Sequence, residues 1–119
     1  MNHPRLCFGG PLHGKRMEFP GARLVAHKDG RSTDYWACKF RQFVREYDDD
    51  GKNLERIVFQ YAHVMVEAND YSRLCDYTTR REVENQINAM LKNRDYDPAL
   101  DIVLEGEDAR VWMQARGLA

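Results

Sequence analysis

The chain has 119 residues, 43% hydrophobic and 31% charged, with a net charge of −1. That length suits one domain with a real core. The composition excludes a disordered tail, a wholly basic nucleic-acid arm and a wholly acidic mimic of nucleic acid. No apolar run approaches the ~20 residues of a membrane helix, and Met1-Asn2-His3-Pro4-Arg5 lacks the apolar stretch of a signal peptide. The expectation is a cytoplasmic protein of a single domain, 1–119, strand-rich over 1–66 and helix-rich over 67–119.

In chain order, Arg5–Phe8 reads as a short strand, followed by Gly9-Gly10-Pro11-Leu12-His13-Gly14, too rich in Gly and Pro for a helix. Lys15–Phe19 and Ala22–His27 are further short strands, separated by the turn pair Pro20-Gly21 and closed by Asp29-Gly30. Two long β-rich runs, 35–47 and 54–66, then flank Asp48-Asp49-Asp50-Gly51-Lys52-Asn53. Taking Asp50-Gly51 as a two-residue type I′ loop, paired residue numbers sum to 101. Trp36, Cys38, Phe40 and Val44 then oppose Met65, His63, Tyr61 and Ile57, with Phe59 beside them, as one apolar face. The other face carries Tyr35, Ala37, Lys39, Arg41, Phe43, Arg45 and Tyr47, with Arg56, Val58, Gln60, Ala62, Val64 and Val66, cationic towards the tip and apolar towards the base.

After Asn69-Asp70 the period changes. Val83, Ile87, Met90 and Leu91 form a helical stripe, and Thr79-Arg80-Arg81-Glu82 fits a capping box. Asp97-Pro98 opens a segment, 98–105, that reads equally as helix or strand. Glu107-Asp108 can start a last helix through Val111, Trp112 and Ala115, ending at Gly117. The predicted fold class is α+β: an antiparallel meander of four to five strands with a long 35–47/54–66 hairpin, followed by two or three C-terminal helices.

The residues point away from most site chemistry. Cys7, Cys38 and Cys75 form no Cys-x-x-Cys pair and the four histidines have no metal-ligand spacing, so neither metal nor cofactor is expected. The Gly-rich run 9–14 lacks the phosphate-loop pattern. The Asp48–Gly51 run puts Ile57 where a calcium loop needs its bidentate Glu. The expected register sets Cys38 opposite His63, which could be a nucleophile and base, but ordinary core residues among aromatics is the favoured reading. Ser32 and Ser72 lie in no nucleophile motif, so an enzyme is not expected.

The charge divides into a net +3 over 1–66 and −4 over 67–119. Lys39, Arg41, Arg45 and Arg56, interleaved with Tyr35, Phe43 and Tyr47, could meet a partner or hold a phosphate backbone while rings stack on bases. Asp95, Asp97, Asp101, Glu105, Glu107 and Asp108 could face a basic partner, Glu105, Glu107 and Asp108 foremost, or form a helix's wet face and caps.

The segment Leu6-Cys7-Phe8-Gly9-Gly10-Pro11-Leu12-His13-Gly14-Lys15 resembles the opening of many small phage and prophage proteins. These begin with a strand, a Gly-Gly-Pro-Leu-x-Gly turn and a second strand. The likeness covers ten residues, with His13 where an acidic or amide residue is more usual. It implies a compact viral accessory protein that binds a host component; with no catalytic set, one domain and the charge split, the first expectation is protein–protein contact in the host cytoplasm that inhibits or redirects a host enzyme or defence complex. A nucleic-acid-binding module on the hairpin face is the second expectation, and a thiol enzyme using Cys38 and His63 the third.

Overall fold

A computed structural model describes residues 3–118. The strands are β1 (Pro4–Phe8), β2 (Arg16–Glu18), β3 (Arg23–Lys28), β4 (Arg31–Tyr47), β5 (Leu54–Glu67) and β6 (Ile102–Glu105). The helices are α1 (Ala68–Cys75), α2 (Arg80–Met90) and α3 (Gly106–Ala115). The architecture is α+β, with sheet order β2-β1-β5-β4-β3 and β6 also on β5. The sheet is mixed, because β1 lies parallel to β5, pairing Leu6 with Val64 and Phe8 with Val66. Leu6-Cys7-Phe8 and Val64-Met65-Val66 are apolar without alternation and all buried, as strands covered on both faces are. No helix among the described residues is long and apolar enough to cross a membrane.

The chain divides into two compact units, Met1–Phe40 with Ala62–Tyr96, and Arg41–Tyr61 with Asp97–Ala119. In the first, α2 lays Val83 and Ile87, both fully buried, on Phe8, Val64 and Val66, with Cys38, Phe40 and Met90 at the margin. This is the predicted stripe. The predicted capping box does not form: Thr79 occupies the N-cap position, but its hydroxyl donates to the Arg73 carbonyl at 2.8 Å, and Glu82 faces Arg73 instead. A second cluster joins Cys7, Tyr35 and Met65 with Leu12, Phe19 and Leu24. Tyr35 also shapes the Gly-Pro turn. Its hydroxyl donates to the Gly9 carbonyl at 2.6 Å and accepts from the Leu12 N–H at 3.0 Å. Gly10 has φ +61°, and a Cβ there would lie 2.6 Å from the Tyr35 oxygen, so both backbone shape and space require glycine.

In the second unit, Ile57 and Phe59 pack on Ala109 and Met113 of α3, with Leu54, Tyr61, Leu104 and Trp112 around them. The ambiguous segment 98–105 is neither one helix nor one strand. Asp97 caps a short 3-10 turn at Pro98–Leu100, and β6 follows, pairing antiparallel with β5. Gly117, with φ +67°, lies just beyond α3.

The hairpin departs from its expected register in an instructive way. At the tip the Gly51 N–H donates to the Asp48 carbonyl at 2.8 Å and the Asp48 N–H to the Asn53 carbonyl at 2.9 Å, so the loop is four residues long. Its pairing still sums to 101. Beyond it, the side-chain contacts are Glu46 with Arg56, Phe43 with Phe59, and Gln42 with Gln60, all summing to 102. From Asp48 to Glu46, β4 advances two residues while β5 advances three, the count of a β-bulge. The extra residue lets Leu54 and Ile57, three apart, enter one core, which strict alternation forbids. It also exchanges faces for the rest of the strand. Ile57, Phe59 and Tyr61 therefore share a face with Phe43, not with Val44 as expected.

Candidate interaction surface

Alternation along β4 places Arg41, Phe43, Arg45 and Tyr47 on one strand face, and all four are exposed. Phe43 is 39% exposed and Tyr47 46%, although both are large rings. Beneath Phe43 lie Phe59, at 5% exposure, and Trp112 of α3. The three rings form a closed set: Phe43–Trp112 centroids are 5.3 Å apart and Phe59–Trp112 5.0 Å, both edge-to-face, and Phe43–Phe59 are 6.3 Å apart. Each such pair contributes about 0.5–1.5 kcal/mol beyond its buried area.

Two guanidinium groups flank the set. Arg41 lies over the Phe59 ring at 5.3 Å, and Arg116 over the Trp112 ring at 4.0 Å. Trp112 lies on the last turn of α3 and Arg116 is its C-cap residue, i, i+4, the spacing that brings two side chains together at a helix end. Each contact is worth about 0.5–1 kcal/mol at an exposed site. Its larger consequence is order. Rings wedged against one another and cations stacked on them lose little further freedom when a partner arrives.

The other expected site residues fall elsewhere. Arg56 lies on the opposite face, ion-paired with Glu46 and directly across from Glu105 on β6. The hydrogen bond to Glu46 raises the Arg56 pKa further. Glu107 and Asp108 sit exposed in the first turn of α3, where they complement the helix dipole. Lys39 is exposed on β4 but belongs to the first unit. The nine residues therefore do not make one patch. Four share the ring-bearing face, and Phe59, Trp112 and Arg116 complete it. Phe59 escapes sequence reading because the bulge moves it across the sheet. Trp112 reads as core, and the i, i+4 spacing of Arg116 was the available signal.

The Cys38–His63 pair is not assembled. Cys38 packs on the face of Val64 and Val66, whereas Met65, two residues from His63, packs on Tyr35 on the other face. Burial pushes the Cys38 thiol up to about 11, the reverse of activation. The Asp48 carboxylate is engaged within its own turn, accepting from Asn53 Nδ2 at 2.8 Å and the Lys52 N–H at 3.0 Å. These bonds hold its pKa below the usual carboxylate range. Comparison with protein-family models, characterised proteins and solved structures yields no match to this chain.

Proposed function

We propose that this is a small accessory protein of phage or prophage origin that acts by protein–protein contact, inhibiting or redirecting a host enzyme or defence complex in the host cytoplasm. The observation that carries the contact surface is the exposed Phe43 ring, pre-ordered on Phe59 and Trp112 and flanked by Arg41 and Arg116. Aromatic and arginine side chains dominate binding hot spots, and a rigid set spends little energy on ordering. The origin rests on the Leu6–Lys15 resemblance alone.

A photo-crosslinking group placed at position 43 should capture one defined host protein, whereas the same group at Val25, exposed in the first unit, should not. Arg41→Glu should sharply reduce capture. Equal capture from both positions, or capture indifferent to Arg41→Glu, refutes the surface.

The alternation Arg41-Phe43-Arg45-Tyr47 supports a second reading, a nucleic-acid face on which bases stack and phosphates pair. Binding to single-stranded oligonucleotides would then weaken steeply with salt, and Arg41→Ala with Arg45→Ala would flatten that slope by about two phosphate contacts. Affinity independent of salt removes this reading.

A further inference from the structure

At the hairpin end of the second unit, Leu54 and Met113, with Tyr47 and Leu118, form the apolar part of a hollow of about 310 Å³ that Lys52, Asn53 and Arg110 also line. That volume is at the lower end of sites that hold small molecules. No Asp or Glu lines it. Neither the Lys52 ammonium nor the Arg110 guanidinium has an ion pair or a side-chain hydrogen bond among the described residues. Both are exposed, in a unit with ten Asp/Glu against six Lys/Arg, a net −4. In the same unit Arg56 has its carboxylate and Arg41 and Arg116 have their rings, whereas Arg45, like Lys52 and Arg110, has no ion pair among the described residues and does not line the hollow. Two uncompensated cations facing one apolar hollow have the chemistry of a site for an amphipathic anion, since an apolar body gains by burial while a charged end needs partners.

We propose that this hollow binds an apolar carboxylic acid: the body rests on Leu54, Met113, Tyr47 and Leu118, and the carboxylate is held by Lys52 and Arg110. Such a carboxylate comes either from a small free acid or from the C-terminal residue of a polypeptide. The hollow shares Tyr47 with the ring-bearing face but does not rest on Phe43, Phe59 or Trp112.

The test is a titration of the full, isotope-labelled chain followed by amide chemical shifts. The probes are 3-phenylpropionate and its methyl ester, and a short peptide ending in Leu-Phe with a free or an amidated terminus. At least one free carboxylate should shift the amides of residues 52–54 and 110–113, with its neutral counterpart about tenfold weaker or worse. A Lys52→Gln, Arg110→Gln double variant should lose at least as much, while Arg81→Gln, an exposed cation on α2, should bind as the parent does. Binding of phenylpropionate alone assigns the site to small acids, and of the peptide alone to chain ends. No shift with either acid, equal binding of the ester or amide, or unchanged binding by the double variant overturns the proposal. The ester and amide comparison decides it even if a variant folds poorly.

Discussion

Tyr35 illustrates how much one side-chain atom can organise. Its ring fills a core among Cys7 and Met65 while its hydroxyl serves both the Gly9 carbonyl and the Leu12 N–H. Tyr35→Phe keeps the packing and leaves both groups short of a partner, so it should cost about 1–3 kcal/mol in urea unfolding; an unchanged midpoint would show that water replaces the hydroxyl. The three thiols should separate by environment. Cys75 is exposed, Cys7 is buried with its pKa raised by burial, and Cys38 is pushed to about 11. Peptide mapping after brief alkylation of the folded protein should find the label on Cys75, with Cys38 and Cys7 modified only slowly. Fast labelling of Cys38 would contradict its burial.

Asp95 is the buried contributor to the pH dependence. It is 2% exposed, bound by Arg16 at 2.6 and 2.9 Å and by the Lys92 N–H at 2.7 Å. Burial by itself would raise its pKa, but the bonds from Arg16 and Lys92 outweigh burial and leave the carboxyl below its usual range. A carboxyl depressed in the folded state stabilises fully above its unfolded value, and that stability is lost as pH falls through the folded value. The parent should therefore weaken on acidification below about pH 4. Asp95→Asn should be less stable by about 3 kcal/mol at neutral pH, because Arg16 loses its partner, and its stability should fall less steeply with acid. Parallel pH profiles for the two proteins would rule out this role.

At the scale of elements, the bulge in β5 decides which side chains meet. Phe43 and Trp112 touch because the frame shifts from 101 to 102 beyond the tip. A double-mutant cycle on Phe43→Ala and Trp112→Ala should then show a coupling of about 0.5–1.5 kcal/mol; additivity would mean that the two rings lie on different faces. Within α2 the reading was straightforward. The spacing of Val83 and Ile87 marks a buried stripe, and both are fully buried. Its N-terminus was less legible, because Thr79 has a competing acceptor in the Arg73 carbonyl, supplied by a helix that precedes it.

For the whole molecule, stability is unevenly distributed. Ten of the fifteen buried apolar residues among those described belong to the first unit and five to the second. Local opening is easiest where fewer apolar groups are buried. Hydrogen exchange should therefore be slowest for amides of residues 62–66 and faster for those of residues 55–59, although both stretches lie in β5. The reverse order would show that the second unit is the more stable. The charge follows the same division. The first unit has twelve Lys/Arg against nine Asp/Glu, the second six against ten, so the +3 and −4 of the two sequence halves reappear as properties of the two compact units.

The amino-acid order by itself determined the α+β class, the long hairpin, the α2 stripe and the four-residue alternation Arg41-Phe43-Arg45-Tyr47, since these depend on periods of two and 3.6 within one element. Only tertiary structure decided that β1 lies parallel to β5, that Cys38 and His63 lie on opposite faces, and that Phe59 and Trp112 lie beneath Phe43. Each of those depends on which element lies alongside another, and a single extra residue in β5 reverses the faces of every residue beyond it.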